Sequence, residues 1–278
     1  MLKKTIVLLV VIVMLLSFPV SAVDTYGGYD IPIDIDINGS FIQCVQKPII
    51  QDGITYLPLR AFSDAIGGAI TWNGEEGAAT MVQDGHSFTF YPGKSYCYID
   101  GVQYNHAAII YKDLTFIPVR VVSEMLHYDV EWDEFYLTVK ITAPGVSVLE
   151  SSKDATYTYE DVLYLGKIIQ IESGYQHFDV MLGVGGTILN RMHSSEFPNT
   201  VKDVIFDTKY SVQFPPAHTE KFDKTPSKAS IIAAKSVLNG VNIVGNSLYF
   251  IDTQHASSSW AHNNRPFYAT ISDMNFYE

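Results

Sequence analysis

Displaced by sixty residues, the stretch 54–74, ITYLPLRAFSDAIGGAITWNG, falls on 114–134, LTFIPVRVVSEMLHYDVEWDE. Pro58 then meets Pro118, Arg60 meets Arg120, Ser63 meets Ser123 and Trp72 meets Trp132. Leu59, Phe62 and Ile66 are spaced i, i+3, i+7, and so are Val119, Val122 and Leu126, which predicts one short amphipathic helix per unit. Alternating segments follow each helix, AITW and ATMV in the first unit, DVEW and LTVKI in the second, and these predict paired strands. Asn38-Gly39 and Asp100-Gly101 are two-residue hairpin signals ahead of the units. A helix with a hairpin cannot bury its apolar face alone, so the duplicated units are expected to share one core.

The signature Y-x-P-L-R-x-x-S-x-x-[LI]-G…W, met by 56–72 and more loosely by 116–132, resembles the copper amine oxidase N-terminal-like, or stalk, domain of many secreted bacterial wall proteins. The resemblance covers about residues 30–142 and implies a spacer or wall-targeting module, with no copper. His86, His106 and His127 show no ligand spacing that contradicts this. The repeated Arg and Trp read either as ligand contacts or as internal packing and pairing.

Around this module the chain carries the marks of export. A basic head with Lys3 and Lys4, an uncharged apolar run at 5–18 and the small-x-small pattern Val20-Ser21-Ala22 predict a signal peptide over 1–22. The run is short for a membrane span. The formal charge of −12 becomes −14 once Lys3 and Lys4 are gone, which speaks against nucleic acid or an anionic membrane surface as partner. The 18 Tyr and 13% aromatic content suit either a carbohydrate cleft or a small β-rich core. Export permits a Cys44–Cys97 disulfide, and two buried thiols fit as well. Residues 143–157, APGVSVLESSKDATY, lack periodicity and read as a linker.

Beyond the linker, acids at Glu160 and Asp161 open a helix. Leu165, Ile168, Ile169 and Glu172 fall at i, i+3, i+4, i+7, so Glu172 sits on the apolar stripe, and Gly174 is a C-cap candidate. Partial burial favours a protonated carboxyl, the state a general acid needs. A Glu at a helix end that reaches water or pairs with Lys is the alternative. In the next predicted helix, 179–192, Gly183, Gly186 and Asn190 share a face. That face predicts close approach to the first helix, with Asn190 near Glu172 to orient the acid, bind substrate or tie down a loop. Asn199 or Thr200 caps a short helix, Pro226 at N1 and Gly240 bound a longer one, and 247–252 and 269–278 read as two strands.

With these residues in hand, E-S-G-x-Q at 172–176, V-G-x-x-x-L-N-R at 184–191, F-P-x-T at 197–200 and Q-F-x-P at 213–216 form an ordered set with A-A-K-x-x-L-x-G at 233–240. L-Y-F at 248–250, S-W at 259–260 and a terminal F-Y at 276–277 complete it. The set resembles the catalytic domain of the spore cortex-lytic, cell wall hydrolase family. The resemblance implies a lysozyme-like fold, no cofactor or metal, and cleavage of peptidoglycan glycan strands by a lytic transglycosylase whose one catalytic glutamate falls on Glu172. Gln176, Asn190, Arg191, Gln213, Phe214, Tyr249, Trp260 and Tyr277 are the expected substrate contacts. Asp179 and Glu196 are available acids, but nothing places either across from Glu172. The family's terminal I-G-x-H pattern is changed here to Ile271-Ser272-Asp273-Met274.

The expected architecture is α+β: a duplicated helix-plus-β-hairpin domain at 23–142, the linker, and a mainly helical lysozyme-like domain with a small β-hairpin at 158–278. The competing functions are a zinc-dependent N-acetylmuramoyl-L-alanine amidase, for which the His residues show no recognisable ligand pair, and a non-catalytic wall-binding protein.

Overall fold

The two repeat units are joined by their own strands. Leu114–Pro118 runs antiparallel to Ile54–Pro58, with Phe116 opposite Pro58, Ile117 opposite Leu57 and Pro118 opposite Tyr56. Leu57 and Ile117 are equivalent positions, so the pairing relates the units by a local two-fold. The computed structural model describes residues 24–209 and 211–278, and the signal peptide expected over 1–22 lies outside them.

Each unit contributes one short helix, α1 (Leu59–Ile66) and α2 (Val119–Met125). Leu59, Phe62, Ile66, Val119, Val122 and Leu126 all enter a single core with Ile35, Met81, Phe88 and Ile141. The rest of this half is mostly strands. Asn38 and Gly39 (φ 51 and 83) and Asp100 and Gly101 (φ 50 and 79) turn the hairpins at positive φ, as a type I′ turn requires. Cys44 and Cys97 are free thiols. Burial pushes the Cys44 thiol up to about 12, against the pull of Lys47 and with the help of Asp34 and Asp154.

The connecting stretch 143–157 is tied down along its length. Asn38 Nδ2 donates to the carbonyls of Ala143 and Val146. Gln43 N donates to Ser152 O and Asp154 N to Phe41 O, and Tyr157 is buried.

The C-terminal half holds α3 (Tyr159–Ser173), α4 (Phe178–His193), α5 (Val201–Ile205), α6 (Lys228–Leu238) and α7 (Trp260–Asn264). Thr158 and Asp161 close a capping box on α3. Ser227 caps α6 and Lys228 is its first residue, so Pro226 stands two residues before the N1 place predicted for it. The stretch expected as one terminal strand is a hairpin, Phe267–Ile271 and Met274–Tyr277, and Tyr249–Asp252 pairs on the other side of 274–277. A three-stranded sheet therefore replaces the predicted pair.

The glycine face of α4 also differs from expectation. A Cβ on Gly183 would lie 2.5 Å from the Phe276 ring, and one on Gly186 would lie 3.1 Å from Val244. That face receives the terminal sheet and the loop before it. The glycine that admits α3 is Gly185, where a Cβ would meet Ile169 at 2.9 Å.

The halves are locked together by buried charge. Lys235 of α6 has no exposed surface and lies 2.9 Å from Asp34 Oδ2. Its N–H groups are aimed at the carbonyls of Tyr136 and Leu137, so the contact with Asp34 is ionic rather than an aligned hydrogen bond. Lys47 and the Tyr157 hydroxyl donate to Asp34 Oδ1 at 3.1 and 2.8 Å. Burial opposes the Asp34 charge, but the two ammonium groups outweigh it and hold the carboxyl below its usual range. Burial likewise lowers the Lys235 ammonium, with Lys47 adding to the effect and Asp34 and, less, Asp133 opposing it. Apolar contacts flank the cluster: Leu137 joins the C-terminal core, Phe41 and Tyr136 stack at 4.4 and 4.7 Å on Tyr159, and Tyr26 packs edge-on at 4.9 Å against Phe178.

Replacing Asp34 by Asn strands the Lys235 ammonium, and urea unfolding is expected to show a loss of about 3–5 kcal/mol. Lys235→Met is expected to cost less, because Asp34 keeps Lys47 and Tyr157. A carboxyl held low in the folded state stabilises above its unfolded pKa, roughly 3.9, and that contribution disappears as pH falls through the folded value. The acid limb of the stability–pH profile should therefore flatten in Asp34→Asn.

Candidate active site

Glu172 stands one residue before the end of α3. Leu165, Ile168 and Ile169 on the same stripe are fully buried, and Glu172 is half-buried at its end. Burial raises its carboxyl pKa, and the Lys221 ammonium only partly opposes this. The flanking acids are engaged elsewhere. Asp179 bonds with the Tyr29 hydroxyl, and Glu196 accepts from Arg265 at 2.5 Å.

Gln176 follows the helix and donates to Asp273 Oδ2 at 3.1 Å. This ties the Glu172 end of α3 to the turn between the last two strands. Gln176 Oε1 is buried without a partner, so its acceptor capacity is unspent beside the acid's helix.

A cleft of about 530 Å³ opens next to the terminal sheet, within the size range of small-ligand sites. Gln213, Tyr249 and Trp260 line it, with Phe197, Glu196 and Arg265. Trp260 is 58% exposed. Arg265 spans Tyr249 and Trp260, its guanidinium 4.8 and 5.5 Å from their ring centres. This is an aromatic wall with a fixed cation; Glu196, an available acid in the sequence, is here the partner of Arg265, which no motif singled out. Glu172 is not among the residues lining this cleft.

Four of the other expected contacts, Asn190, Arg191, Phe214 and Tyr277, are engaged within the protein, and the last three are buried. Asn190 Nδ2 donates to the carbonyls of Gly245 and Ser247 at 2.9 Å each, so it ties down a loop, one of the roles the sequence left open to it. Arg191 is 5% exposed. Its Nε donates to Leu248 O at 2.6 Å, and its guanidinium lies 4.8–5.4 Å from the rings of Phe197, Phe214 and Tyr249. Burial lowers its pKa to about 10, with Tyr249 and Asp207 opposing. Phe214 is buried against Arg191 and Phe250. Tyr277 is 1% exposed, and its hydroxyl lies 3.1 Å from His262 Nδ1. These four residues shape the wall from behind.

Met274 occupies the last strand's inner face, 5% exposed, among Val180, Val244 and Phe276. An imidazole there would face apolar neighbours, so the Met is a packing residue. Ser272, in place of the family's Gly, adopts φ 54, a left-handed conformation that an L side chain enters at a cost.

Residues 176–277 match the Cell Wall Hydrolase family model, and residues 36–141 match the Copper amine oxidase N-terminal domain. The region similar to the cell wall hydrolase model thus follows the region similar to the copper amine oxidase N-terminal model. The chain's similarity to curated proteins runs to spore cortex-lytic enzymes: 30% identity over 104 residues with that of Bacillus cereus, covering 37% of this chain and 39% of the relative, and 27% over 104 residues with that of Oceanobacillus iheyensis, covering 37% of each. The chain spans about two fifths of the length of the curated relatives it matches. Among solved structures it is similar to the catalytic domain of the germination-specific lytic transglycosylase SleB from Bacillus anthracis, with 27% identity, a TM-score of 0.41, and coverage of 45% of this chain and 99% of that one. The family match begins at Gln176, four residues past Glu172.

Ser272→Gly is expected to relieve the left-handed strain and stabilise the fold by about 0.5–1 kcal/mol, net of the glycine's greater unfolded freedom. A thermal melt that stays in place or falls would refute this.

Proposed function

We propose that this chain cleaves the glycan strand of bacterial peptidoglycan between N-acetylmuramic acid and N-acetylglucosamine, as an exported lytic transglycosylase acting at the cell wall or spore cortex. Substrate class is supported by the cell wall hydrolase domain and by relatives named as spore cortex-lytic enzymes. The single observation that carries the chemistry is Glu172, half-buried at the end of an apolar stripe with its pKa raised by burial.

In this reading the protonated Glu172 carboxyl gives its proton to the glycosidic oxygen as the bond to muramic C1 breaks. The muramic 6-hydroxyl oxygen bonds to C1, and its proton returns to the Glu172 carboxylate. The product is a 1,6-anhydro sugar and no water is consumed. An intramolecular hydroxyl removes the need for the second carboxylate of an ordinary glycosidase. The engagement of Asp179 with Tyr29 and of Glu196 with Arg265 accords with that economy. Tyr249 and Trp260 offer sugar-stacking faces along the cleft beside the terminal sheet.

Digestion of purified peptidoglycan, with fragments weighed by mass spectrometry, tests the reading. Wild type is expected to release anhydro-muropeptides, and Glu172→Gln to lose at least about a thousandfold of that rate, as removal of an essential acid does. Reducing ends without anhydro sugar would make it a muramidase; free amino groups, an amidase; no fragments with retained binding, a wall-binding protein. Because the acid works protonated, the rate should fall as pH rises through the raised Glu172 pKa. A raised carboxyl stabilises the fold below its unfolded pKa, and that contribution is lost as pH rises through the folded value. Glu172→Gln should therefore be at least as stable as wild type at alkaline pH.

A further inference from the structure

The two-fold in the repeat domain builds two reciprocal pockets. The first lies between the start of α1, Trp72 and the turn at Asp113, Leu114 and Thr115. The second lies between the start of α2, Trp132 and the turn at Gly53, Ile54 and Thr55. Each unit thus supplies Arg and Trp to its own pocket and a turn to the other's. The equivalence makes the differences informative, because the same frame has been closed in one unit and left open in the other.

In the second unit the polar groups are already satisfied within the protein. Trp132 is half-buried and its Nε1 donates to Glu134 at 2.6 Å, while Glu134 also binds Lys228 of α6. Arg120 lies 3.8 Å from Glu124. Val121 and Val139 narrow the space to about 250 Å³.

In the first unit each of these closures is missing. The position of Glu134 is Gly74, where even a Cβ would lie 3.7 Å from Trp72 Nε1. The position of Glu124 is the shorter Asp64, and Arg60 makes no ion pair among the described residues. Ala61 and Ala79 replace the two valines, and the pocket holds about 370 Å³. Trp72 is 59% exposed.

We propose that this first pocket is a glycan-binding site, with Trp72 as the stacking platform. An exposed indole face suits the apolar face of a pyranose. Arg60 donates, and Gln43, Asp64 and Asp113 accept, around an apolar floor that includes Ile70 and Leu114. Two carboxylates beside one guanidinium disfavour an anion and favour a neutral polyol. The choice of an N-acetylated wall glycan as the polymer rests on the function proposed above, and the site itself does not.

The chain has three tryptophans, Trp72, Trp132 and Trp260. The Trp132→Phe/Trp260→Phe chain therefore reports at Trp72 alone, free of signal from the candidate catalytic cleft. Titration with N-acetylchitotetraose is expected to shift its emission. Arg60→Ala should weaken that response about tenfold, as loss of a hydrogen bond from a charged donor does. Gly74→Glu, which copies the second unit's closure, should abolish it with the melting temperature unchanged. Emission that stays fixed with the tetrasaccharide, or that moves only with inorganic phosphate, overturns the proposal. Fragment release is read separately, in the wild-type chain that keeps Trp260. Fixed emission with Glu172-dependent release intact in wild type overturns this site and leaves the proposed reaction standing. A response at Trp72 without release by wild type supports the site and removes the reaction.

Discussion

An ammonium group with no exposed surface has to be met by a carboxylate or not exist as a charge. In this chain Lys235 on the central C-terminal helix is met by Asp34, on the first core strand of the repeat domain. The contact fixes α6, and α3 and α4 pack directly on α6. Through α3 the position of Glu172 is referred back to Asp34. Lys47, Asp154, Tyr157 and Asn239 complete the cluster, so the two halves meet through one connected network of ion pairs and hydrogen bonds. A half-satisfied version would cost more than an apolar interface of the same size.

The second constraint is the crowding of α4. Its glycines let Phe276 and Val244 reach the helix axis on one side and Ile169 on another. The residues after them, Asn190 and Arg191, spend their polar atoms on backbone carbonyls of the 245–248 loop. Arg191 also stands behind Phe197, Phe214 and Tyr249. The cleft's aromatic wall is held from the inside by a buried cation and from the outside by Arg265.

Much of this was legible in sequence where a period or a duplication carried it. The repeat, its two helix stripes and the stripe position of Glu172 follow from spacing. What spacing leaves open is the neighbour. Gly183 and Gly186 share a face, but only the fold says that the face meets a sheet rather than α3. All four residues of the alternating strand Asp34–Ile37 are buried, because Tyr157, Tyr159 and Lys235 of the C-terminal half cover its two aspartates. Arg191 and Tyr277 carry motif positions and are buried, and spacing alone does not separate a residue that faces a ligand from one that supports its neighbours. The closing hairpin was missed because Ser272 turns it without glycine.

The pinned connector changes what kind of two-domain molecule this is. With 143–157 hydrogen-bonded to the first half and the halves joined by buried charge, moving one half against the other breaks those contacts. A polymer held by one half is presented to the other at a fixed offset and angle. Any gain in affinity from contacting both halves is then set by whether the polymer's own repeat matches that offset, as in a rigid bivalent ligand, and not by how far a tether can reach.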